Sequence, residues 1–367
     1  MGADVLVVGG GPAGIATAIA ASLKGLRVTV ADARRPPIDK PCGEGLLPEA
    51  VAALRRFGIR LNLKCAFPLA GFRFADANST ATAAIPSGIA FGMRRTALHE
   101  LLVERAVELG VSFSWGARVS EFQPGGARVD GTFVPCKWLV GADGQNSAVR
   151  KWARLMSRRA IRSRFGFRRH FFLSPWTDLV EVHWGNRCQM VITPTSAEEI
   201  CVSVFSNDPN VRIDQALEQF PGAAKRLREA RGGTPEHGAI TALEQAHAVV
   251  RGRVALVGDA SCTVDGIAGQ GMSLAFQQAG HLAEALARND LARYESAHRR
   301  IVKMPARMTR LLLLLDRSAW LRKKALRLFA ARPALFSGMI GVHTGERKPD
   351  TIRARELFDL GWRVLRA

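Results

Sequence analysis

Apolar positions along the chain fall into two rhythms, and glycines mark where one gives way to the other. Residues 4–8, DVLVV, form a continuous apolar run of buried-strand length, which GGGPAG turns. IATAIAASLKG carries on as a small-residue helix stopping at Gly25, and RVTVAD is a second strand. Strand, glycine turn, helix and strand in that order predict a βαβ unit. Residues 47–57 are predicted helical, and FRFADANSTATAAIPSGIAFGM, residues 72–93, alternates and turns as antiparallel strands do. From Thr96 to Leu109 the apolar positions take helical spacing, with Arg95 or Thr96 at the start and Gly110 as the stop.

VSFSWGARVSEFQ and GTFVPCKWLVGAD return to strand spacing. Residues 166–205, with DLVEVHW, QMVITP and EICVSVF, predict a second sheet covering a pocket, and residues 214–230 predict helix. RVALVGDA, residues 253–260, is one more buried strand, running through glycines into the helix MSLAFQQAGHLAEALA. Residues 291–367 predict helices broken at Pro305 and Pro333. The fold class is therefore α/β, a Rossmann-like nucleotide-binding domain with an inserted, mainly antiparallel β-sheet substrate domain and a C-terminal helical segment. The expected boundaries are 1–70, 92–160 and 245–295 for the first, 71–91 and 161–244 for the second, and 296–367 for the helices.

A length of 367 residues suits two interleaved domains, and 47% hydrophobic with 23% charged residues leaves no room for extended disorder. Six scattered cysteines show no Cys-x-x-Cys pair and no matching histidine spacing, which points away from a disulfide framework or metal site and towards a reducing, cytoplasmic setting. No signal-peptide pattern opens the chain, and no apolar run nears the roughly 20 residues of a membrane span, so the expectation is a soluble or membrane-peripheral protein. The formal charge is +20 and local: residues 150–170 carry nine lysines and arginines and no acid, and residues 299–332 carry eleven against Asp316 alone. Such fields attract anionic partners, here an acidic acyl-carrier protein or an anionic membrane surface, unless they are simply solvated. No nucleic-acid-binding motif accompanies them, so nucleic acid is not expected.

Gly9-x-Gly11-x-x-Gly14 follows a strand and opens a helix, with Asp32 eighteen residues beyond Gly14 at the end of the next strand. Glycines admit a pyrophosphate to the backbone, a helix amino terminus favours its charge, and the carboxylate accepts from ribose hydroxyls. Alone, this motif leaves NAD and FAD open. RVALVGDASCTVDGIAGQGMS, residues 253–273, places Asp259 at a strand end and Gly266, Gly269 and Gly271 before a helix. That order suits a ribityl hydroxyl followed by the pyrimidine edge of a reduced flavin, so FAD fits better.

With GADGQNSAVR (141–150), VGDA and MRRTALHELLVERA added to the glycine turn, the chain resembles, over nearly its whole length, the FAD-dependent family of aromatic-hydroxylase-type monooxygenases and geranylgeranyl reductases. The resemblance implies an FAD site built from Gly9, Gly11, Pro12, Ala13 and Gly14, from Asp32, Ala33 and Arg34, and from Cys42, Gly43 and Gly45. It adds Arg95, Val119, Asp143, Gly144 and Arg150, then Gly258, Asp259, Gly266, Gly269, Gly271 and Met272. Asp32 would hold the adenosine ribose, Arg95 the phosphates or ribityl chain, Val119 the adenine through its backbone, and Asp259 the ribityl or pyrophosphate region. Asp143 and Arg150 would position both nucleotides, and Gly271 with Met272 would meet the flavin ring.

DKPCGEG, residues 39–45, resembles the reductase branch's Cys-Gly-x-Gly loop along the isoalloxazine. In TVDGIAGQG, Gly266 replaces that branch's proline, which predicts a looser loop; the branch's aromatic substrate motif, ending in Phe-Pro, is matched only by QMVITP with Pro194. Cys42 is the one catalytic candidate, tuning the flavin or touching substrate, with packing in a tight loop as the plainer role. Glu44 is expected to be a solvated loop acid, and His99, His170 and His183 receive no catalytic role. The resemblance implies an NAD(P)H-dependent FAD monooxygenase of secondary metabolism, hydroxylating or epoxidising an apolar or polycyclic small molecule with dioxygen activated at flavin C4a. The alternative is an FAD-dependent ene-reductase saturating C=C bonds of a lipid or polyketide. A third class, a lipid- or carrier-binding protein keeping FAD structurally, rests on RMTRLLLLLDRSAWLRKKALRLFAARPALF, residues 307–336, whose five leucines cover every helix face and favour core packing. Trp176 and Trp184 are expected in core packing as well.

Overall fold

Strand Ala3–Val8 is buried from Val5 onward, and it lies at the centre of a parallel sheet because its neighbours share that character on both faces. In the computed structural model, which describes residues 2–123, 125–159 and 163–347, this first sheet has eight strands. Its path runs Val250–Arg251, Val254–Leu256, Thr132–Gly141, Ala3–Val8, Val28–Asp32 and Ser112–Trp115, and every pairing from Val254–Leu256 onward is parallel. Val119–Gln123 and Gly126–Val129 attach antiparallel beside Thr132–Gly141. Helix Pro12–Ser22 is rich in alanine and buried over most of its length, which lets helix Gly271–Ala287 lie close against it. Ile15, Ile19, Leu98, Leu102, Phe276 and Leu282 fill the core between sheet and helices.

A second sheet of seven strands runs His237–Thr241, Arg164–Phe171, Glu199–Ser206, Cys188–Ser196, Leu179–Trp184, Gly71–Ala75 and Thr80–Ala84. It is antiparallel except where Leu179–Trp184 meets Gly71–Ala75. Ala90–Gly92, expected to continue the run of 72–93, instead pairs with Gly45–Leu46 and Phe67–Leu69 in a small third sheet. The cause is a close approach: a Cβ on Gly92 would stand 1.7 Å from the Pro194 carbonyl oxygen, a spacing only glycine allows. The helix expected over 214–230 is two short ones, Ile213–Leu217 and Pro221–Leu227, because Pro221 lacks the N–H to continue a helix and starts the next instead.

Pro305 does not break its helix. It lies buried inside Leu291–Arg317, and Thr309 Oγ1 donates to its carbonyl at 2.8 Å. The break falls at Ser318, whose side chain accepts from Leu321 N–H and caps helix Ala319–Ala331; Pro333 then opens helix Pro333–His343, as expected. The last part of the 296–367 segment, residues 348–367, lies outside the described residues. Of the five leucines, Leu312, Leu313 and Leu315 are buried, Leu311 half-buried and Leu314 exposed, so core packing dominates. Phe329 stacks on Phe336 at 4.6 Å, and Phe74 packs on Trp184 at 5.1 Å, beneath the second sheet. Trp176 is half-buried at the edge of a further cluster, under the Arg226 guanidinium. Among the described residues no single helix is long and apolar enough to cross a membrane; the bent pair Ala319–Ala331 and Pro333–His343 qualifies by composition, but its apolar side is spent on this core.

One buried cation ties these parts together. Arg164 of the second sheet, 2% exposed, meets Asp265 at 3.0 Å, Asp316 of the long helix at 3.3 Å, and Gln189 Oε1 at 2.8 Å. Removing one member of such a set strands the opposite charges in a low-dielectric interior. Arg164→Leu should therefore cost about 3–5 kcal/mol of stability. Urea unfolding measures it; a loss below about 1 kcal/mol would show that the seam holds without it.

Candidate functional site

A single cavity of about 1350 Å³ runs from the carboxyl ends of the first sheet's strands to the underside of the second sheet. At its narrow end the three turn glycines divide their work. Gly9 takes a left-handed φ of +110°, and a Cβ there would stand 2.4 Å from the Ala142 carbonyl oxygen. A Cβ on Gly14 would stand 1.9 Å from Gly9 O, so Gly14 seats the helix and is absent from the cavity wall. Gly11 is different: a Cβ there would meet only Arg95 Nη2, at 3.8 Å, and would project into the cavity. No side chain caps the helix it opens, so first-turn N–H groups remain free for an anion. His99, given no role in the sequence reading, supports this turn; burial lowers its pKa, and the neutral ring donates from Nε2 to Gly10 O at 2.7 Å.

The acids stand where strands end. Asp32 accepts from Gly10 N–H at 2.7 Å and Arg34 N–H at 2.8 Å. Asp143 Oδ2 accepts from Ala148 and Val149 N–H groups, while Oδ1 is buried with no partner. Arg95 Nε is likewise buried without a partner. Asp259 follows strand Val254–Leu256 and pairs with Lys40 at 3.1 Å. Ala33, Val119, Gly144, Gly258 and Met272 also line the cavity, and at Gly43, Gly45, Gly269 and Gly271 a Cβ would find nothing within 4 Å. Arg150 is not in the wall: its guanidinium donates to Ala260 O, Gln145 O and Glu244, tying the Asp259 turn to helix Ala148–Trp152 from behind. The Gly266 loop is not loose. Its N–H donates to Thr241 Oγ1 at 2.9 Å, Asp265 accepts from Ile267 N–H at 3.1 Å, and a Cβ on Gly266 would lie 2.5 Å from the Phe205 ring, so that ring takes the space a proline would need.

The Cys-Gly-Glu-Gly loop holds the main correction. Glu44 is 2% exposed, not solvated, and takes a left-handed φ of +59°. Its Oε1 accepts from Arg95 N–H at 3.1 Å, and its Oε2 lies 2.6 Å from His170 Nε2. His170 Nδ1 faces Arg168 Nη1 at 3.0 Å and Thr234 Oγ1 at 3.2 Å. Arginine only donates, so Nδ1 accepts; the ring proton sits on Nε2 and is given to Glu44. Arg168 Nη2 holds Asp39 at 2.7 Å; although burial works to raise that carboxyl, Arg168 keeps it below its usual range. Cys42 lines the cavity with its Sγ accepting from Glu44 N–H, and burial raises its pKa, so it stands as a neutral thiol. Glu44, His170 and Cys201 bring ligand-type atoms within 4.8 Å of one another, a grouping no sequence spacing showed; the Glu44–His170 hydrogen bond joins two of those atoms directly. The signal missed was the alternation in RFGFRRHF: Arg164, Arg168 and His170 share one strand face and are all buried, so part of the basic run 150–170 is interior rather than a charged surface.

Beyond the glycines the cavity continues into an apolar lobe between the second sheet and the last helices, walled by Phe72, Val182, Val191, Leu312, Leu315 and Phe336. Orphaned Asp143 Oδ1 and Arg95 Nε, with open glycine faces along one trough continuous with this lobe, fit an extended FAD.

Residues 2–289 match the family model described as FAD binding domain, and the chain belongs to that family. It is an FAD-dependent oxidoreductase with the aromatic-hydroxylase fold. The menaquinone reductase of Mycobacterium tuberculosis is 29% identical over 323 residues, covering 79% of this chain and 78% of that one. The para-nitrophenol 4-monooxygenase of Pseudomonas sp. (strain WBC-3) is 27% identical over 323 residues, 77% of each. In three dimensions the chain is similar to p-nitrophenol 4-monooxygenase PnpA from Pseudomonas putida DLL-E4, with a TM-score of 0.80 and 20% identity over 94% of this chain and 99% of that one.

Two outcomes follow. Gly11→Val, at an extended backbone position, should leave apoprotein stability within about 0.5 kcal/mol. Its affinity for FAD should fall by about tenfold or more, read by fluorescence titration of apoprotein; undiminished flavin affinity would contradict the trough. Burial holds both His298 and His343 down at a pKa of about 4. The unfolded histidines titrate near pH ~6.5, so between the two values the unfolded chain binds more protons and stability rises with pH, by up to about 3 kcal/mol per histidine, then levels off. Urea midpoints from acid to neutral pH should show this slope, and His298→Gln with His343→Gln should flatten it.

Proposed function

We propose that the chain is an NAD(P)H-dependent FAD monooxygenase acting on a large apolar or polycyclic small molecule. The observation that supports the reading is the continuity of the glycine trough with the apolar lobe, which would let an apolar substrate reach a bound flavin. FAD supplies hydride acceptance and oxygen activation. The protein's own residues do the rest. Arg95 and the free N–H groups of helix Pro12–Ser22 bind the phosphates, Asp32 and Asp259 orient the sugar and ribityl hydroxyls, and Phe72, Val191 and Phe336 exclude water. The overall reaction, substrate with dioxygen, NAD(P)H and a proton giving hydroxylated or epoxidised product, NAD(P)+ and water, consumes one proton. His170 Nε2–H donates to Glu44 at the cavity wall, and Thr234 Oγ1 stands 3.2 Å from His170 Nδ1, so these groups would supply that proton. Cys42, a neutral thiol in the cavity wall, would face the flavin without acting as a nucleophile.

A second reading, reduction of a substrate C=C bond, is favoured by the Cys42–Gly45 loop together with the similarity to menaquinone reductases. A panel of polycyclic phenols and prenylated quinones, offered to the FAD-loaded enzyme with NADH or NADPH, separates the two. Monooxygenation gives substrate-dependent oxygen uptake and one atom from isotope-labelled dioxygen in the product. Equal turnover under strict anaerobiosis, with a double bond lost, overturns it in favour of the reductase.

A further inference from the structure

Helix Leu291–Arg317 buries Val302, Pro305, Thr309 and Leu312 on one side, and on the other exposes Arg300, Lys303, Arg307, Arg310, Leu314 and Arg317. These steps of three and four residues form one stripe along the helix, about 26 Å from end to end at 1.5 Å per residue. Helix Ala319–Ala331 extends it with exposed Trp320, Lys323 and Arg327. None of these seven cations meets an acid among the described residues, and Asp316, the sole acid of the segment, is turned inward to Arg164. Leu314 and Trp320 are about half exposed, at 50% and 54%, and Leu314 also lines the apolar lobe, so the lobe reaches the surface beside the stripe. Every lobe residue contributed by the helices after 290 is apolar except His343.

We propose that this stripe docks the protein on an anionic lipid bilayer, with Leu314 and Trp320 set at headgroup depth and the lobe mouth facing the acyl region. A line of unpaired cations crossing two helices matches an extended plane of anions better than a compact protein patch, and an apolar mouth suits a ligand arriving from hydrocarbon rather than on a polar carrier arm. Lys324 over the Trp320 ring at 3.9 Å keeps a cation beside the exposed indole, as a headgroup boundary requires. Docking stands on charge and exposure alone; delivery of substrate from the bilayer rests on the apolar-substrate reading above.

The test is co-sedimentation of the FAD-loaded full chain with phosphatidylcholine vesicles, with and without phosphatidylglycerol, at low and high salt. Binding is expected only to the anionic vesicles and is lost in salt. The triple variant Lys303→Glu, Arg307→Glu, Arg310→Glu should abolish it, and Trp320→Ser should weaken it, while FAD content and turnover of detergent-dispersed substrate stay unchanged in both. Quenching of tryptophan emission by brominated lipid should fall in Trp320→Phe. No binding to anionic vesicles, or binding that survives charge reversal, overturns the proposal, as does capture of an acidic acyl-carrier protein in place of vesicles. Because vesicle binding is read without turnover, its failure leaves the proposed reaction standing, and failure of turnover leaves docking standing.

Discussion

A guanidinium almost sealed from water sits where three parts of the chain meet. Arg164 projects from the second sheet, Asp265 begins the glycine-rich segment that leads into helix Gly271–Ala287, and Asp316 ends the long helix that walls the apolar lobe. Charges this deep hold only when every partner is in place, so the sheet, the flavin-facing segment and the helical wall are fixed together or not at all. The Phe205 ring against Gly266, and the Thr241 hydroxyl on Gly266 N–H, extend the same junction towards the cofactor trough. The site's geometry is thus inherited from a seam whose Asp265, Gly266 and Phe205 also stand in the cavity wall.

Two opposite means shape the cavity. Along the trough the wall is defined by missing side chains: Gly11, Gly43, Gly45, Gly269 and Gly271 leave backbone bare. Behind the wall it is braced by polar contacts, Arg168 with Asp39, Arg94 with Glu199 and the neutral His170 ring with Glu44. The first accepts a long, polar, extended cofactor; the second holds the Asp39 and Glu199 carboxyls below their usual range against the pull of burial.

What could be seen in the sequence was local. The Gly9–Gly14 turn, Asp32 at a strand end and the helix after Gly271 each carry their signal within a few residues, and nearly all the expected cofactor residues do line one cavity. Gly14 and Arg150 act one layer back, Gly14 because its space belongs to Gly9 and Arg150 because Ala260 and Glu244 claim its guanidinium. Glu44 looked solvated because its partner lies 126 residues away on another sheet, beyond the reach of any local pattern. Pro305 looked like a helix stop because the rule weighs the lost N–H and not the burial that holds the helix together around it. The wall made by the last helices was illegible for the same reason: five leucines in a row announce burial but not what they bury against.

The orientation of the His170 ring fixes the direction in which it can donate. With Arg168 aimed at Nδ1 and Glu44 at Nε2, the imidazole cannot turn over without giving up both neighbours, so its resting polarity is set before any ligand arrives. The strand that carries His170 therefore presents one fixed donor, Nε2–H, to the Glu44 carboxylate.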